Sequence, residues 1–245
     1  MARTKRNAAS TSKSAKESRA RTRTAASLKK KGKPKSRAKQ QSRKAESASP
    51  EIKTLFFWDA SDRVTGFLSP WYKAPFEDGE VTYQSVGHYI MAAKARLFND
   101  KKALEKILAS VSSDEHRALG NSVKGFKDSI WQEKVLCVAS RANEQKFLHG
   151  RNAAALRKKL LPFADHELVY ASPTDYLFGI GLSAEDAGDP KNIKNRKRWG
   201  RNLFGQSLSW CKKQTWNLAN PAAAAAANAK FDVSVFDRPG MAIYW

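Results

Sequence analysis

Flat rings beside polar side chains are the chemistry-bearing feature of this 245-residue chain. They gather in four places: FLSPWYKAPF (67–76), the surroundings of Trp131, ASPTDYLFGIG (171–181) and RWGRNLFG (198–205). Aromatic rings stack on a flat base, and neighbouring Asp, Asn and Lys can read a ribose and its phosphates. The combination suits a nucleotide-like small molecule. Taken singly, Trp131 and Trp199 read more simply as core.

Other chemistries are excluded by spacing. No H-E-x-x-H occurs, and His88, His116, His149 and His166 do not share metal-ligand spacing. Cys137 and Cys211 lie 74 residues apart with no C-x-x-C, which reads as two reduced thiols and no zinc site. There is no Walker loop and no G-x-S-x-G elbow, and GIGLSA (179–184) lacks the third glycine of a dinucleotide fingerprint. Neither a metal nor a cofactor is expected. No run of 18 apolar residues exists and no apolar stretch opens the chain, so neither a membrane span nor a secretion signal is expected.

The elements that must position these groups follow from periodicity. KTLFFWD (53–59) reads as a strand, and VTYQS (81–85) as a short strand running into a helix, YQSVGHYIMAAKARLF (83–98). In that helix Val86, Ile90, Ala93 and Leu97 form a buried stripe and Ser85 stands at the N-cap. Helical patterns recur near 101–110, 114–123, 128–143 and 152–160; ELVYAS (167–172) reads as a second buried strand, and a last helix starts after Trp199. Many helices with a few short strands make an α+β domain, mostly helical.

The net charge of +22 is unevenly placed. Residues 1–50 hold 17 Lys and Arg against two acids, Glu17 and Glu46, with almost no large apolar side chain. Such a segment cannot bury enough area to offset its ordering entropy, and it reads as a disordered basic tail. Its dense cluster LKKKGKPKSRAK (28–39) has the composition of a nuclear-import signal or a nucleic-acid-contacting arm; a solubilising tail with no specific partner is one alternative, and a mitochondrial transit peptide is another, against which the lysine clusters and the lack of an apolar face argue. The expected organisation is a tail at 1–50, one folded domain at 51–213, and an Ala-rich linker with a C-terminal extension at 214–245, in which PAAAAAAN (221–228) reads as a linker or a loose helix. FDVSVFDRPGMAIYW (231–245) is apolar enough to dock on the domain.

Five stretches in this order, LSPWYKAPF, YQSVGHYIMAAKARLF, LGNSVKGF, ASPTDYLFGIG and RWGRNLFGQSL, resemble the NADAR (YbiA-like) family over about residues 55–210. The resemblance is closest to its fungal branch. It implies an N-glycosidase-type domain. Members cleave N-glycosidic bonds in phosphorylated riboflavin-pathway intermediates or remove ADP-ribose from modified guanine bases. That chemistry wants a carboxylate near the anomeric carbon and a group that polarises the departing base. By the same resemblance Asp175 and His88 are the catalytic candidates, and Trp71, Lys94, Trp131, Phe178, Trp199 and Asn202 the substrate-binding ones.

The chain departs from the family pattern where it matters. The family has S-x-E-H; here it reads Ser85-Val86-Gly87-His88. On a helix, positions 87, 91 and 94 share a face, so the missing carboxylate would point the same way as Lys94. A glutamate-sized cavity beside Met91 and Lys94 is therefore expected, and Gly87→Glu should raise turnover and slightly stabilise the helix. Asn121, Tyr170 and Phe178 stand where the family often has Arg, Glu and Trp. Two functions remain open. One is a working or weakened N-glycosidase using Asp175, with a carboxylate from FEDGE (Glu77, Asp78, Glu80) as a further candidate. The other is a catalytically silent nucleotide- or ADP-ribose-binding module carried to nucleic acid or chromatin by the tail, with nuclear localisation favoured over cytoplasmic. A nucleic-acid binder acting through the tail alone, with the domain as scaffold, is a third.

Overall fold

The long amphipathic stretch after Tyr83 organises the domain. The structure, a computed structural model, describes residues 53–228. The expectations for 1–50 and for docking of 231–245 lie outside those residues. In chain order the elements are β1 (Thr54–Phe57), β2 (Phe76–Asp78), β3 (Val81–Tyr83), α1 (Val86–Leu97), α2 (Lys101–Ala109), α3 (Ser113–Asn121), α4 (Asp128–Glu144), α5 (Ala153–Leu160), β4 (Glu167–Tyr170), α6 (Ala184–Gly188), α7 (Pro190–Lys194), α8 (Leu203–Ala219) and α9 (Pro221–Asn228). A π-helical turn, Gln145–His149, extends α4. The mostly helical α+β class expected from the sequence is observed.

Ser85 caps α1 as its type predicts, accepting from the His88 N–H at 3.1 Å. Helices α2, α3 and α4 pack around α1, and α8 packs along α4. Gly120 of α3 sits directly on the Met91 side chain, where a Cβ would collide with the thioether, so the two helices approach closely.

Strands β1 and β4 pair in parallel, with Thr54 opposite Glu167 and Phe57 opposite Tyr170. Their side chains alternate between two cores. Leu55, Phe57, Leu168 and Tyr170 join the main cluster with Ile90, Val135, Phe147 and Leu208. Phe56 and Val169 join a smaller cluster with Ala171, Ile180 and Ala187. Burial on both faces explains why these strands read as continuous apolar runs. The hairpin β2–β3, closed through Gly79 at φ +62°, was only half legible: VTY reads as a strand, whereas FED carries no alternation.

One boundary differs from the sequence reading. Helix α8 runs through position 213 to Ala219, with Thr215 buried near its end. Of the linker or loose helix that the sequence left open at 221–228, the structure shows the helix, following α8 directly, with the Ala224 N–H donating to the Asn220 carbonyl at 3.0 Å.

One buried charge fixes the loop between β1 and β2. Lys146, in the π turn, is fully buried and donates to the carbonyls of Phe67 (2.7 Å) and Ser69 (3.4 Å). Its ammonium lies 5.4 Å from the Tyr72 ring centroid and 5.0 Å from that of Phe147. Burial lowers its pKa to about 7.

Candidate functional site

The face of α1 that carries positions 87, 91 and 94 is the starting point. The space beside Gly87 is filled. The indole of Trp71 lies on the glycine, so that a Cβ there would stand 2.5 Å from Cε3 and Cζ3 and 2.8 Å from Cη2. The Gly87 N–H donates to the Pro70 carbonyl at 2.7 Å, which brings the loop bearing Trp71 against the first turn of the helix. The expected glutamate-sized cavity is therefore absent: a ring from another part of the chain occupies its volume. The guanidinium of Arg117 on α3 stacks over that ring, 4.3 Å from its centroid.

Two turns along the same face, the Lys94 ammonium is half-buried, 4.2 Å from the Phe126 ring centroid and 6.0 Å from that of Trp131. Burial pulls its pKa down. Among the described residues it makes no hydrogen bond and no ion pair. A desolvated cation between aromatic walls, with no anion of its own, suits a phosphate or another anionic group of a ligand.

Asp175 stands in the loop after β4. Its Oδ1 accepts from the N–H groups of Leu177 (2.9 Å) and Phe178 (2.8 Å), the geometry of a turn-capping aspartate. Its Oδ2 has no partner among the described residues. The buried Tyr170 phenol locates it: burial first, then the Asp175 charge, push that hydroxyl well above its usual pKa, while Arg117 opposes them. Asp175, Tyr170 and Arg117 thus share one neighbourhood, and Arg117 joins it to Trp71 and Gly87. On the other side, Arg201 binds Gln132 at 3.1 Å and its own N–H donates to the Tyr176 carbonyl at 2.8 Å. An open depression lies there, lined by Asp128, Ser129, Gln132, Glu133 and Arg201, one residue from Trp131.

The predicted residues divide accordingly. Trp71 and Asp175 are connected through Arg117 and Tyr170, and Lys94 lies against Phe126 and Trp131 on the α1 face of Gly87, while Trp131 itself is buried in the main core, 5% exposed. His88 joins neither group. It is buried, its Nδ1 accepts from the Gln84 N–H (3.1 Å), and its Nε2 faces the Ile107 carbonyl (3.0 Å), which fixes the neutral Nε2–H form. It stacks on His116 at 4.0 Å, and burial with that neighbour lowers its pKa to about 4. With both nitrogens occupied in the core it has no proton to exchange with a ligand. Asn202 is also engaged: from a left-handed backbone (φ +51°) its Oδ1 accepts from the Tyr170 N–H (2.9 Å) and its Nδ2 donates to the Leu168 carbonyl (3.0 Å), extending the sheet edge. Trp199 packs in the smaller core against Phe56, with Arg196 4.4 Å above it. Phe178 packs on Phe204 beside the main core, its own N–H bound to Asp175.

The FEDGE acids are elsewhere. Asp78 binds the Tyr89 hydroxyl (2.9 Å) and Arg141 (2.9 Å), and Glu77 pairs with Arg151 (3.1 Å). Tyr89 lies about 200° around the helix from Gly87, so these carboxylates face another side of α1. The residue that sequence reasoning missed is Arg117. It carries no motif, and only its position in space, over Trp71 and near Tyr170, reveals it.

Comparison with known proteins agrees with this architecture. Over 163 residues the chain is 33% identical to N-glycosidase R617 of Acanthamoeba polyphaga mimivirus, spanning 64% of this chain and 92% of that protein. It is 29% identical over 133 residues to Protein irg-1 of Caenorhabditis elegans, spanning 52% of this chain and 58% of the other. The solution NMR structure of the E. coli protein YbiA superposes with a TM-score of 0.52 at 23% identity, covering 74% of this chain and 89% of YbiA, a likeness of fold. The family model for the NADAR domain matches residues 56–216, and the chain belongs to the NADAR domain family.

Proposed function

We propose that this domain is an N-glycosidase-type module acting on a ribosylated or ADP-ribosylated nucleotide-type substrate. The observation that carries the reading is Asp175. One of its carboxylate oxygens is fixed by two backbone N–H groups, and the other has no partner among the described residues. Departure of a base from ribose builds positive charge at the anomeric carbon, and a carboxylate held by its neighbours stabilises that charge without having to reorganise. Lys94 binds a phosphate, and the exposed Phe126 ring flanks it. A relative whose name is N-glycosidase, matched along 92% of its length, supports the same assignment.

One observation favours a second reading. Trp71 occupies the volume beside Gly87, so the resemblance's glutamate has neither a side chain nor a space to occupy. A module that binds the ligand without cleaving it fits that arrangement. The deciding experiment incubates the full chain with an ADP-ribosylated guanine nucleotide and with a ribosylamino-pyrimidine phosphate, following release of the base alongside binding. Slow release that falls at least ~10²-fold in Asp175→Asn, with affinity kept, supports the glycosidase. Binding without release, weakened by Lys94→Ala, supports the silent module. Neither binding nor release overturns both. The basic tail supplies the nuclear address and nonspecific nucleic-acid affinity in either case. Deleting residues 1–50 should abolish nuclear accumulation, and unchanged localisation would refute that role.

A further inference from the structure

Trp71 is a large ring that the fold holds without enclosing. It is half-buried and belongs to neither apolar core, unlike Trp131, which is 5% exposed in the main one. A Cβ at Gly87 would stand within 2.8 Å of three consecutive atoms of the six-membered ring, so the ring lies face-on against the helix backbone. Glycine is a poor helix former, and the position costs α1 stability. What it provides is a seat for the ring.

The seat is rigid and its cover is not. Lys146 binds the Phe67 carbonyl (2.7 Å) and the Gly87 N–H binds the Pro70 carbonyl (2.7 Å), which fixes the loop that carries Trp71. Arg117, whose guanidinium lies over the ring at 4.3 Å from its centroid, is exposed, and among the described residues it makes no hydrogen bond and no ion pair. A guanidinium on a solvent-facing stem, held by one stack, gives way to a flat group that stacks on the same ring. On the same face of α1, position 94 lies about 10 Å further along the axis, and helical side chains lean towards the N-terminus, which brings the half-buried Lys94 ammonium back towards the ring. One nucleotide bridges such an interval from its base to its 5′-phosphate.

We infer that the Trp71 ring, seated on Gly87, is the stacking platform for the base of a nucleotide-type ligand, with the Arg117 guanidinium closing over that base. The inference rests on the nucleotide-type reading of the ligand and deepens it, by naming the residues that take the base. An indole and a guanidinium are both flat, and a base between them is covered on both faces. Stacking of this kind accepts a base of any identity, so the slot supplies affinity for a base as such rather than a choice among bases. A sugar phosphate without a base would use Lys94 but has no need of the ring. The glycine that departs from the family pattern thus has a positive role: it exchanges a helix side chain for a platform.

The test uses the full chain and two probes, guanosine 5′-monophosphate and ribose 5-phosphate, which share the phosphorylated ribose and differ in the base. Both affinities are measured by titration calorimetry, and the quantity read is their ratio, from which any phosphate binding by the basic tail cancels. The nucleotide should bind at least ~10-fold more tightly than the sugar phosphate. Trp71→Leu, which fills the seat without a ring, should bring the ratio down ~10-fold and leave ribose 5-phosphate unaffected, while Trp71→Phe keeps most of it. Arg117→Ala should lower the ratio at least ~3-fold. Lys94→Ala should weaken both probes by the same factor and leave the ratio where it was. Arg117 is exposed, so its variant decides the matter even where Trp71→Leu does not fold. A ratio near one in the natural chain overturns the inference, as does a ratio that Trp71→Leu leaves unchanged. A ratio unchanged or raised in Arg117→Ala also overturns it, by making the guanidinium a bystander or a plug. Binding of neither probe overturns the slot together with the nucleotide-type reading. The binding arm needs no turnover, so failure of the glycosidase reading alone is seen separately, as absent release of the base with the ratio intact.

Discussion

Gly87→Glu restores the residue that the family pattern would place on α1, and its expected result is a less stable protein. A Cβ at position 87 would lie 2.5 Å from two carbons of the Trp71 indole. Carbon atoms rest at about 3.5–4.0 Å, so the ring has to leave. The backbone cannot yield instead, because Gly87 is bound to Pro70 and α1 is packed on three sides by other helices. Overpacking of this kind costs about 1–3 kcal/mol, and losing the Arg117 stack adds roughly 0.5–1 kcal/mol. Against this stand the gain from removing a helical glycine, at most about 1 kcal/mol and less in a first turn, and about 0.3–1 kcal/mol for an acid near the helix N-terminus. The contributions centre on a net loss of about 1.5 kcal/mol, or a fall in Tm of roughly 3–6 °C for a domain of this size. This reverses the stabilisation expected from helix propensity alone. The check is a double-mutant cycle read by thermal melting and by hydrolysis. With Trp71→Ala already present, adding Gly87→Glu should cost little stability and raise turnover at least ~10-fold over Trp71→Ala alone. An unchanged or higher Tm in Gly87→Glu alone would refute the argument. So would an equal penalty in both backgrounds, since the strain would then not involve Trp71.

Three further outcomes follow from groups that sequence alone could not place. His88 takes its proton near pH 6.5 when unfolded and only near pH 4 when folded; its contribution is fully present above pH 6.5 and is lost as pH falls towards 4, by about 3 kcal/mol, so chemical denaturation in His88→Gln should show a flatter acid limb. Lys146, with a folded pKa of about 7 against the ordinary 10.5, releases its proton in the native state first; stability should rise from pH 7 towards 10, and Lys146→Met should not show that rise. Asn202→Ala leaves the Tyr170 N–H and Leu168 carbonyl unpaired and puts alanine at φ +51°; it should cost about 2–4 kcal/mol in urea unfolding while leaving the ligand affinity of the folded protein unchanged, whereas a large affinity loss without destabilisation would return Asn202 to the ligand.

The elements were legible because their signals are local. The α1 stripe and its Ser85 cap, the apolar runs of β1 and β4, and the patterns of α2 to α5 all lie within a dozen or so residues of themselves. The roles of the polar residues were not, because they depend on partners far along the chain. His88 and Lys94 sit in the same helix with equal claims as site residues, and the carbonyl of Ile107 takes one while the rings of Phe126 and Trp131 frame the other. Asn202 matches its family motif because a left-handed residue must join α8 to β4, a structural requirement that a motif cannot distinguish from ligand binding. Arg117 left no pattern at all, since its neighbour Trp71 is 46 positions away.

Trp71 reaches Gly87 through a loop that is held from both sides. Lys146 binds the carbonyls of Phe67 and Ser69, the Ser69 hydroxyl accepts from the Trp71 N–H at 3.4 Å, and the Pro70 carbonyl accepts from Gly87. The carbonyls of three of the four residues 67–70, those of 67, 69 and 70, thus point at two anchors, a buried cation and a helix N-terminus. A free helix-terminal N–H and an unpaired ammonium each favour such a carbonyl. Gly87 is the only residue type that leaves room for the ring once those bonds are made, so the glycine, the tryptophan and the buried lysine act as one arrangement. The shape of the candidate site at this end is consequently set by Lys146, which lies in the core on the far side of the loop. A change there should move Trp71 and Arg117 together, and with them the ground on which any ligand beside Asp175 must settle.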